Sequence, residues 1–259
     1  MKNPRSIVIT GASSGIGMAL ALEYAAPGVT LALTGCDPGR LNQIHGACIA
    51  RGAAVTAAVL DVRDRDGLQT WLLDVDGKTP VDLVIANAGI SAGTGEDGET
   101  ESQARAIFSV NVDGVLNTVY PLLEPMIRRG RGQVAIMSSL ASFRGFPGAP
   151  AYCAGKAAVR VWGESLRVAL KPRGIGVSVI CPGFVDTRMT AVNRFPMPFL
   201  IKPEQAAVLI RRRLSANQGR IAFPWPMALA ARILTTLPAG LTDILLRATP
   251  PKAALSPKD

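Results

Sequence analysis

A chain of 259 residues with 48% hydrophobic and 18% charged side chains is globular in composition and long enough to bury a large core. Its 28 basic and 19 acidic residues leave a formal charge of +9, but the basic residues are scattered and aromatics are only 5%, which argues against a nucleic-acid surface. Cys36, Cys48, Cys153 and Cys181 form no CxxC pair and the single histidine, His45, has no second ligand near it, so a zinc site, a disulfide framework and a Ser-His-Asp triad are excluded.

The apolar run after Lys2 and Arg5 is too short for a signal peptide or a spanning helix, and a cytoplasmic protein is expected. An anionic substrate, an anionic cofactor or a membrane surface accounts for the positive charge as well as nucleic acid would. "RRR" at Arg211 to Arg213 closes a predicted helix, where the helix dipole favours cations.

In chain order, "SIVIT" (Ser6 to Thr10) predicts a strand that runs into "TGASSGIG" (Thr10 to Gly17) and a helix through "MALALEYAA". Val29 to Thr34 predicts the next strand, Pro38 to Ala50 a helix, and "AVTAAVL", ending at Asp61, a third strand. A helix from about Arg65 to Leu73, a strand at Val81 to Ala86 and a long helix from Ser102 to Arg128 follow. "QVAIMS" predicts a fifth strand, Ala151 to Leu170 a helix, Gly176 to Pro182 a sixth strand and "RIAF" near Arg220 a seventh. Apolar strands alternating with helices indicate parallel βαβ units in one domain, with ligands at the C-terminal ends of the strands.

Chemistry-bearing residues fall at those strand ends. Gly11, Gly15 and Gly17 allow a tight turn, close approach of backbone to a pyrophosphate and close packing of helix on strand, with the helix N-terminus facing the phosphates. Asp61 in "LDV" is placed either to meet an adenine or to cap the following helix. Asn87 sits in an "ANAG" turn, and Asn111 lies inside the long helix, where asparagine is a poor former. Ser138 and Ser139 end the fifth strand. In "AYCAGK", Tyr152 and Lys156 are four positions apart, so a phenol and an ammonium share one helix face.

Taken together these residues resemble the short-chain dehydrogenase/reductase family, in its members of about 250 residues, over nearly the whole chain from Ser6 to about Pro224. The resemblance rests on TGxxxGxG at Thr10 to Gly17, NAG at Asn87 to Gly89, Asn111, Ser139 thirteen residues before Tyr152, YxxxK at Tyr152 and Lys156, and PG at Pro182 and Gly183. It implies a doubly wound Rossmann-type α/β fold with seven parallel strands and helices on both faces. It also implies hydride transfer between a nicotinamide and a carbonyl or secondary alcohol. In that reading Tyr152 is the general acid/base, and Lys156 lowers its pKa and bonds the nicotinamide ribose. Ser139 holds the substrate oxygen, and Asn111 anchors a water in a proton relay. Ser138 competes with Ser139, and the spacing to Tyr152 selects Ser139. Cofactor contacts are implied for Gly11, Ser13, Ser14, Gly15, Ile16 and Gly17, for Asp61 and Val62, and for Asn87, Ala88 and Gly89. Tyr152, Lys156, Pro182, Gly183, Val185 and Thr187 complete the set, with Thr187 otherwise an N-cap of the next helix; no metal is implied. Arg188 to Ile201 is the expected substrate lid, with Phe195, Met197 and Phe199 facing a partly apolar substrate or the core. Relatives commonly pair through the helices around Asn111 and Tyr152, so a homodimer or homotetramer is expected. A binding protein without turnover, and an epimerase or dehydratase on the same fold, are the competing functions.

The cofactor is read as NADP or NAD, with the residues leaning to NADP. Gly35 and Cys36 stand where relatives carry an acidic residue or an arginine. Nothing at position 35 repels a 2′-phosphate, Ser13 and Arg40 could donate to it, and Asp37 would oppose it if turned inward. Beyond Pro224, over about residues 225–248, Met227, Ala230, Ala231, Leu234, Leu237, Leu241 and Leu245 recur at helical spacing on either side of Pro238. This stripe either packs over the substrate pocket or a partner subunit, or lies on an anionic membrane surface with Trp225 at the boundary, which suits an amphiphilic substrate.

Overall fold

The computed structural model describes residues 2–91, 98–193 and 195–247. Among them, seven strands form one parallel sheet: β1 (Ser6–Thr10), β2 (Thr30–Gly35), β3 (Ala54–Val59), β4 (Leu83–Ala86), β5 (Gly132–Met137), β6 (Ile175–Pro182) and β7 (Arg220–Phe223). Their spatial order is β3-β2-β1-β4-β5-β6-β7. The chain therefore winds outward from β1 to β3, returns to β4 beside β1, and winds the other way. That reversal opens a crevice above the C-terminal ends of β1 and β4. Ile9 lies opposite Leu33 on one side and Ile85 on the other. Every residue of β1, β4 and β5 is buried, which is why these strands read as continuous apolar runs rather than alternating ones.

Helices cover both faces. On one, α1 (Gly15–Tyr24), α2 (Pro38–Ala50) and α8 (Pro203–Ser215) pack Leu20, Leu41, Ile44, Ile210 and Leu214 on Ile7, Ile9, Leu31 and Leu33. On the other, α3 (Arg65–Lys78), α5 (Gly114–Arg129) and α6 (Pro150–Leu170) bury Leu68, Leu72, Val119, Leu122 and Val159 on Val8, Val84, Val134 and Val177.

Two expectations are corrected. The long helix runs as α4 (Glu101–Phe108) and α5 with a π-helical turn at Ser109–Asp113 between them. Such a turn inserts an extra residue and re-aims the side chains around it. It turns Asn111 fully inward: Ile90 N–H donates to Asn111 Oδ1 and Asn111 Nδ2 donates back to Ile90 O, each at 2.8 Å. The whole span, Glu101–Arg129, is long and apolar enough to cross a bilayer. Its apolar residues Val115, Val119, Leu122 and Met126 nevertheless belong to the second core.

The C-terminal stripe does not bury as one face. It forms α9 (Trp225–Thr236) and, after Pro238, α10 (Ala239–Arg247). Met227, Ala231, Leu234 and Leu237 turn partly inward beside buried Ala228, while Ala230, Leu241 and Leu245 face outward. Thr242 is fully buried in their place, because its hydroxyl accepts from the Arg144 guanidinium and donates to Ala239 O at 2.8 Å. The tail from Thr249 falls outside the described residues.

Candidate active site

The site starts where β1 ends. Gly11 has φ +66°, and a Cβ there would stand 2.8 Å from the Ala88 Cα, so only glycine lets the loop rest on the exit of β4. Asn87 closes the two exits together: its Nδ2 donates to Thr10 O at 3.0 Å and Gly11 O at 3.2 Å, and its own N–H donates to Thr10 Oγ1 at 3.1 Å. The turn asparagine is thus a clamp. Ser14 then sits at the N-cap of α1, whose first turn carries no acidic side chain, leaving free N–H groups and positive potential aimed into the crevice.

A cavity of about 450 Å³ occupies that crevice. The glycine loop bounds one end, and Ser139, Tyr152, Lys156, Pro182 and Gly183 bound the other. Every residue expected to touch a cofactor lines it except Gly17, which lies buried under the loop where a Cβ would meet Gly11 O at 2.2 Å. Asn111 does not line it either, being spent on Ile90.

The catalytic end is carried by β5, β6 and α6. Strand alternation separates the two serines. Ser138 N–H still pairs with Ile180 O across the sheet, and its hydroxyl donates to Lys156 O at 2.8 Å, so it is buried structure. Ser139 turns to the cavity and makes a side-chain hydrogen bond with Tyr152. Lys156, 2% exposed, donates from Nζ to Met137 O at 2.9 Å and stands 5.9 Å from the Tyr152 ring centre. A Cβ added to Gly89 would meet both Asn111 Oδ1 and Lys156 Nζ at 3.1 Å, so these two polar groups converge on one small space. Glu99 accepts from Ala151 N–H at 3.0 and 3.2 Å and so caps the helix that carries Tyr152.

A model of the short chain dehydrogenase family matches residues 5–196. The chain belongs to that family. An uncharacterized oxidoreductase of Myxococcus xanthus is 37% identical over 244 residues, covering 94% of this chain and 96% of that protein. A 3-oxoacyl-[acyl-carrier-protein] reductase of Thermotoga maritima is 31% identical over 214 residues, covering 78% and 87%. Among solved structures, a short chain dehydrogenase from Mycobacterium paratuberculosis bound to NAD superposes with a TM-score of 0.78 at 25% identity, over 88% of this chain and all of that one. A Beutenbergia cavernae protein described as an NAD(P) dependent gluconate 5-dehydrogenase, with bound NADP, gives 0.76 at 27% identity, over 84% and 94%.

In this short chain dehydrogenase, burial governs the two ionisable groups at the catalytic end. It pushes the Tyr152 phenol up, the Ser139 hydrogen bond opposing, and brings the Lys156 ammonium down to about 8. The net direction at Tyr152 is therefore upward, with removal from water as its largest cause.

The far end also departs from expectation. Asp37 caps α2 by accepting from Arg40 N–H at 2.8 Å and pairs with the Arg40 guanidinium at 3.0 Å. Neither residue lines the cavity, so the proposed Arg40 donor and the Asp37 opposition both fall away. Asp61 is not a helix cap, a role taken by Asp64. Its carboxylate lies on the Arg63 side chain and is held below its usual range by that hydrogen bond. Arg63 lines the cavity and was not singled out by the sequence; only its position two residues after the strand-end aspartate could have flagged it.

Beside the catalytic end lies an apolar cluster. Leu140, Val179, Cys181 and Ala228 form a small core with Phe143 and Met227 against it. A Cβ on Gly183 would touch Pro224 Cδ at 3.0 Å and Met227 Sδ at 3.1 Å, so α9 lies directly under the cavity floor. The lid enters α7 (Arg188–Ala191), with Thr187 at its N-cap, then stacks Phe195 edge-on to Phe184 at 6.0 Å. Arg188, Met189 and Thr190 line the cavity, while Phe199 points out, 57% exposed.

Proposed function

We propose that this short chain dehydrogenase transfers a hydride between a nicotinamide dinucleotide and a carbonyl or secondary alcohol on a partly apolar substrate. The observation that carries the proposal is the hydrogen-bonded Ser139–Tyr152 pair, with buried Lys156 behind it, at the opposite end of one cavity from a phosphate-binding loop. The residues fit such a dinucleotide. The glycine loop and the N-terminus of α1 suit the pyrophosphate, Asp61 and Val62 flank the adenine end, and Pro182, Gly183, Val185 and Thr187 floor the nicotinamide end. When bound, the cofactor supplies or takes the hydride.

The rest is done by this chain's side chains. Tyr152 presents a proton at Oη to the substrate oxygen, and a phenol kept protonated by burial is in the form required to reduce a carbonyl. Ser139 Oγ donates to the same oxygen and strengthens its hold as charge builds there. Lys156 keeps a positive charge behind the phenol at neutral pH, which stabilises the phenolate once the proton has left. Asn111, locked to Ile90, fixes the loop beside Lys156. The apolar cluster of Leu140, Phe143 and Met227 behind Gly183 is in keeping with the ketoacyl chemistry named for some relatives.

The test is a screen of 3-oxoacyl thioesters, aliphatic and cyclic ketones, and sugars with either reduced cofactor. Consumption of cofactor in step with loss of carbonyl is expected. Substrate conversion with no net cofactor consumption would mark an epimerase or dehydratase instead. Cofactor binding without turnover of any substrate would mark a regulatory protein.

A further inference from the structure

In dinucleotide-binding βαβ folds, the group that reads the adenosine ribose stands about 20 residues after the glycine loop, at the end of β2. Here that place is empty of charge. Gly35 has no side chain and a Cβ there would collide with Ser13 Oγ at 2.7 Å, while the next residue is the uncharged Cys36. A cation reaches this end of the cavity from another strand. Arg63, just past β3, lines the same end of the cavity as Ser13, Gly35 and Cys36.

Its guanidinium is held side-on: Nε donates to Asp61 Oδ2 at 2.9 Å and Oδ1 at 3.1 Å, and Nη2 donates to Oδ2 at 2.6 Å. The Asp61 carboxylate is itself fixed by the Arg63 N–H at 2.9 Å. Among the described residues Nη1 has no partner. A guanidinium has two forks, and the carboxylate uses the side one. The end fork, made by Nη1 and the second hydrogen of Nη2, is left for a second planar or tetrahedral oxyanion, and the side chain is already fixed in place to receive it.

We propose that Arg63, with Ser13, forms a 2′-phosphate subsite that makes NADP(H) the preferred cofactor, supplying from the end of β3 the charge that the end of β2 lacks. The proposal rests on the hydride-transfer reading. Asp61 positions the guanidinium, and Gly35 keeps the corner open for the phosphate. The thiol of Cys36 is pushed up by burial and by the Asp61 charge, so it adds no negative charge at neutral pH.

The test is titration of the full chain with NADPH, NADH and 2′,5′-ADP, followed by tryptophan fluorescence and calorimetry. The parent is expected to bind NADPH at least tenfold more tightly than NADH, and to bind 2′,5′-ADP with an affinity that falls as salt rises. Arg63→Ala should lower the NADPH-to-NADH affinity ratio by about tenfold or more, with Arg63→Lys intermediate because it keeps the charge but loses the fork. Arg63 is 53% exposed, so both variants should fold. Cys36→Asp, at another exposed position, should move the ratio the same way by setting a carboxylate against the phosphate. A ratio changed less than twofold by Arg63→Ala, or a parent that prefers NADH, overturns the subsite. If the parent binds NADH alone and reduces a carbonyl, the hydride-transfer reading stands and the subsite falls. If it binds neither dinucleotide, both fall.

Discussion

The two ends of the cavity are built from different materials. At the exits of β1 and β4 the walls are backbone and small residues, with Gly11, Ala88 and Asn87 in contacts that leave no room for another atom. At the other end, behind Ser139 and Gly183, lies a cluster of larger apolar side chains, Leu140, Phe143 and Met227, backed by a helical pair that is half uncovered. The family model matches residues 5–196 and stops before α8, α9 and α10. Backbone contacts at the glycine loop admit few sequences. An apolar cluster, by contrast, needs mainly volume and hydrophobicity.

The largest expected effect lies where the ends meet. Tyr152→Phe removes the only proton at Oη and should lower kcat by about 10²–10⁴-fold, leaving the cofactor Kd nearly unchanged. Rates within a few-fold of the parent on a true substrate would break the assignment of roles between the two ends.

Lys156→Met should lower both rate and cofactor affinity, yet raise the melting temperature at pH 7. The folded pKa of Lys156, about 8, lies below its ordinary 10.5. The folded chain therefore bears the cost of a desolvated charge below pH 8, and loses that cost as pH rises toward 10.5, where the unfolded lysine also sheds its proton. The stability gained by the variant should accordingly shrink between those values. A variant that melts well below the parent at neutral pH would show that the bond from Nζ to Met137 O outweighs desolvation.

At the substrate end, Thr242→Val leaves the Arg144 guanidinium without its acceptor and should cost about 1–2 kcal/mol of stability. It should raise KM for the carbonyl substrate more than Kd for the nucleotide, because Arg144 follows the turn that begins at Ser139. Equal effects on both constants would mean that α10 does not serve the substrate side alone.

The smallest effect separates the two faces of α9. Met227→Ser, under the cavity floor, should destabilise by about 1–2 kcal/mol. Leu229→Ser with Ile233→Ser, on the outer face where the side chains are 50% and 52% exposed, should stay within about 0.5 kcal/mol. Thermal melts of the two variants decide it; a large loss from the outer pair would reveal a covering partner, such as a second copy of the chain or a membrane surface.

Much of this was legible in the sequence because it is local. Strand and helix periods show in the order of apolar residues, and TGASSGIG and YxxxK place their groups within one turn of backbone. That is enough to specify a doubly wound sheet, a phosphate loop, and Tyr152 and Lys156 on one helix face. What spacing could not decide depended on contacts between distant segments. Which of two adjacent serines meets Tyr152 was settled by the pairing of β5 with β6, which turns Ser138 to Lys156 O. The π turn, bonded to Ile90, turned Asn111 inward, an orientation that helical spacing alone did not give. Arg40 was withdrawn by its neighbour Asp37, and Arg63 was brought to the cavity because β3 lies beside β2. The C-terminal helices are apolar on more than one side, so periodicity alone could not say which side the rest of the chain would cover; the contact of Met227 with Gly183 and of Thr242 with Arg144 made that choice.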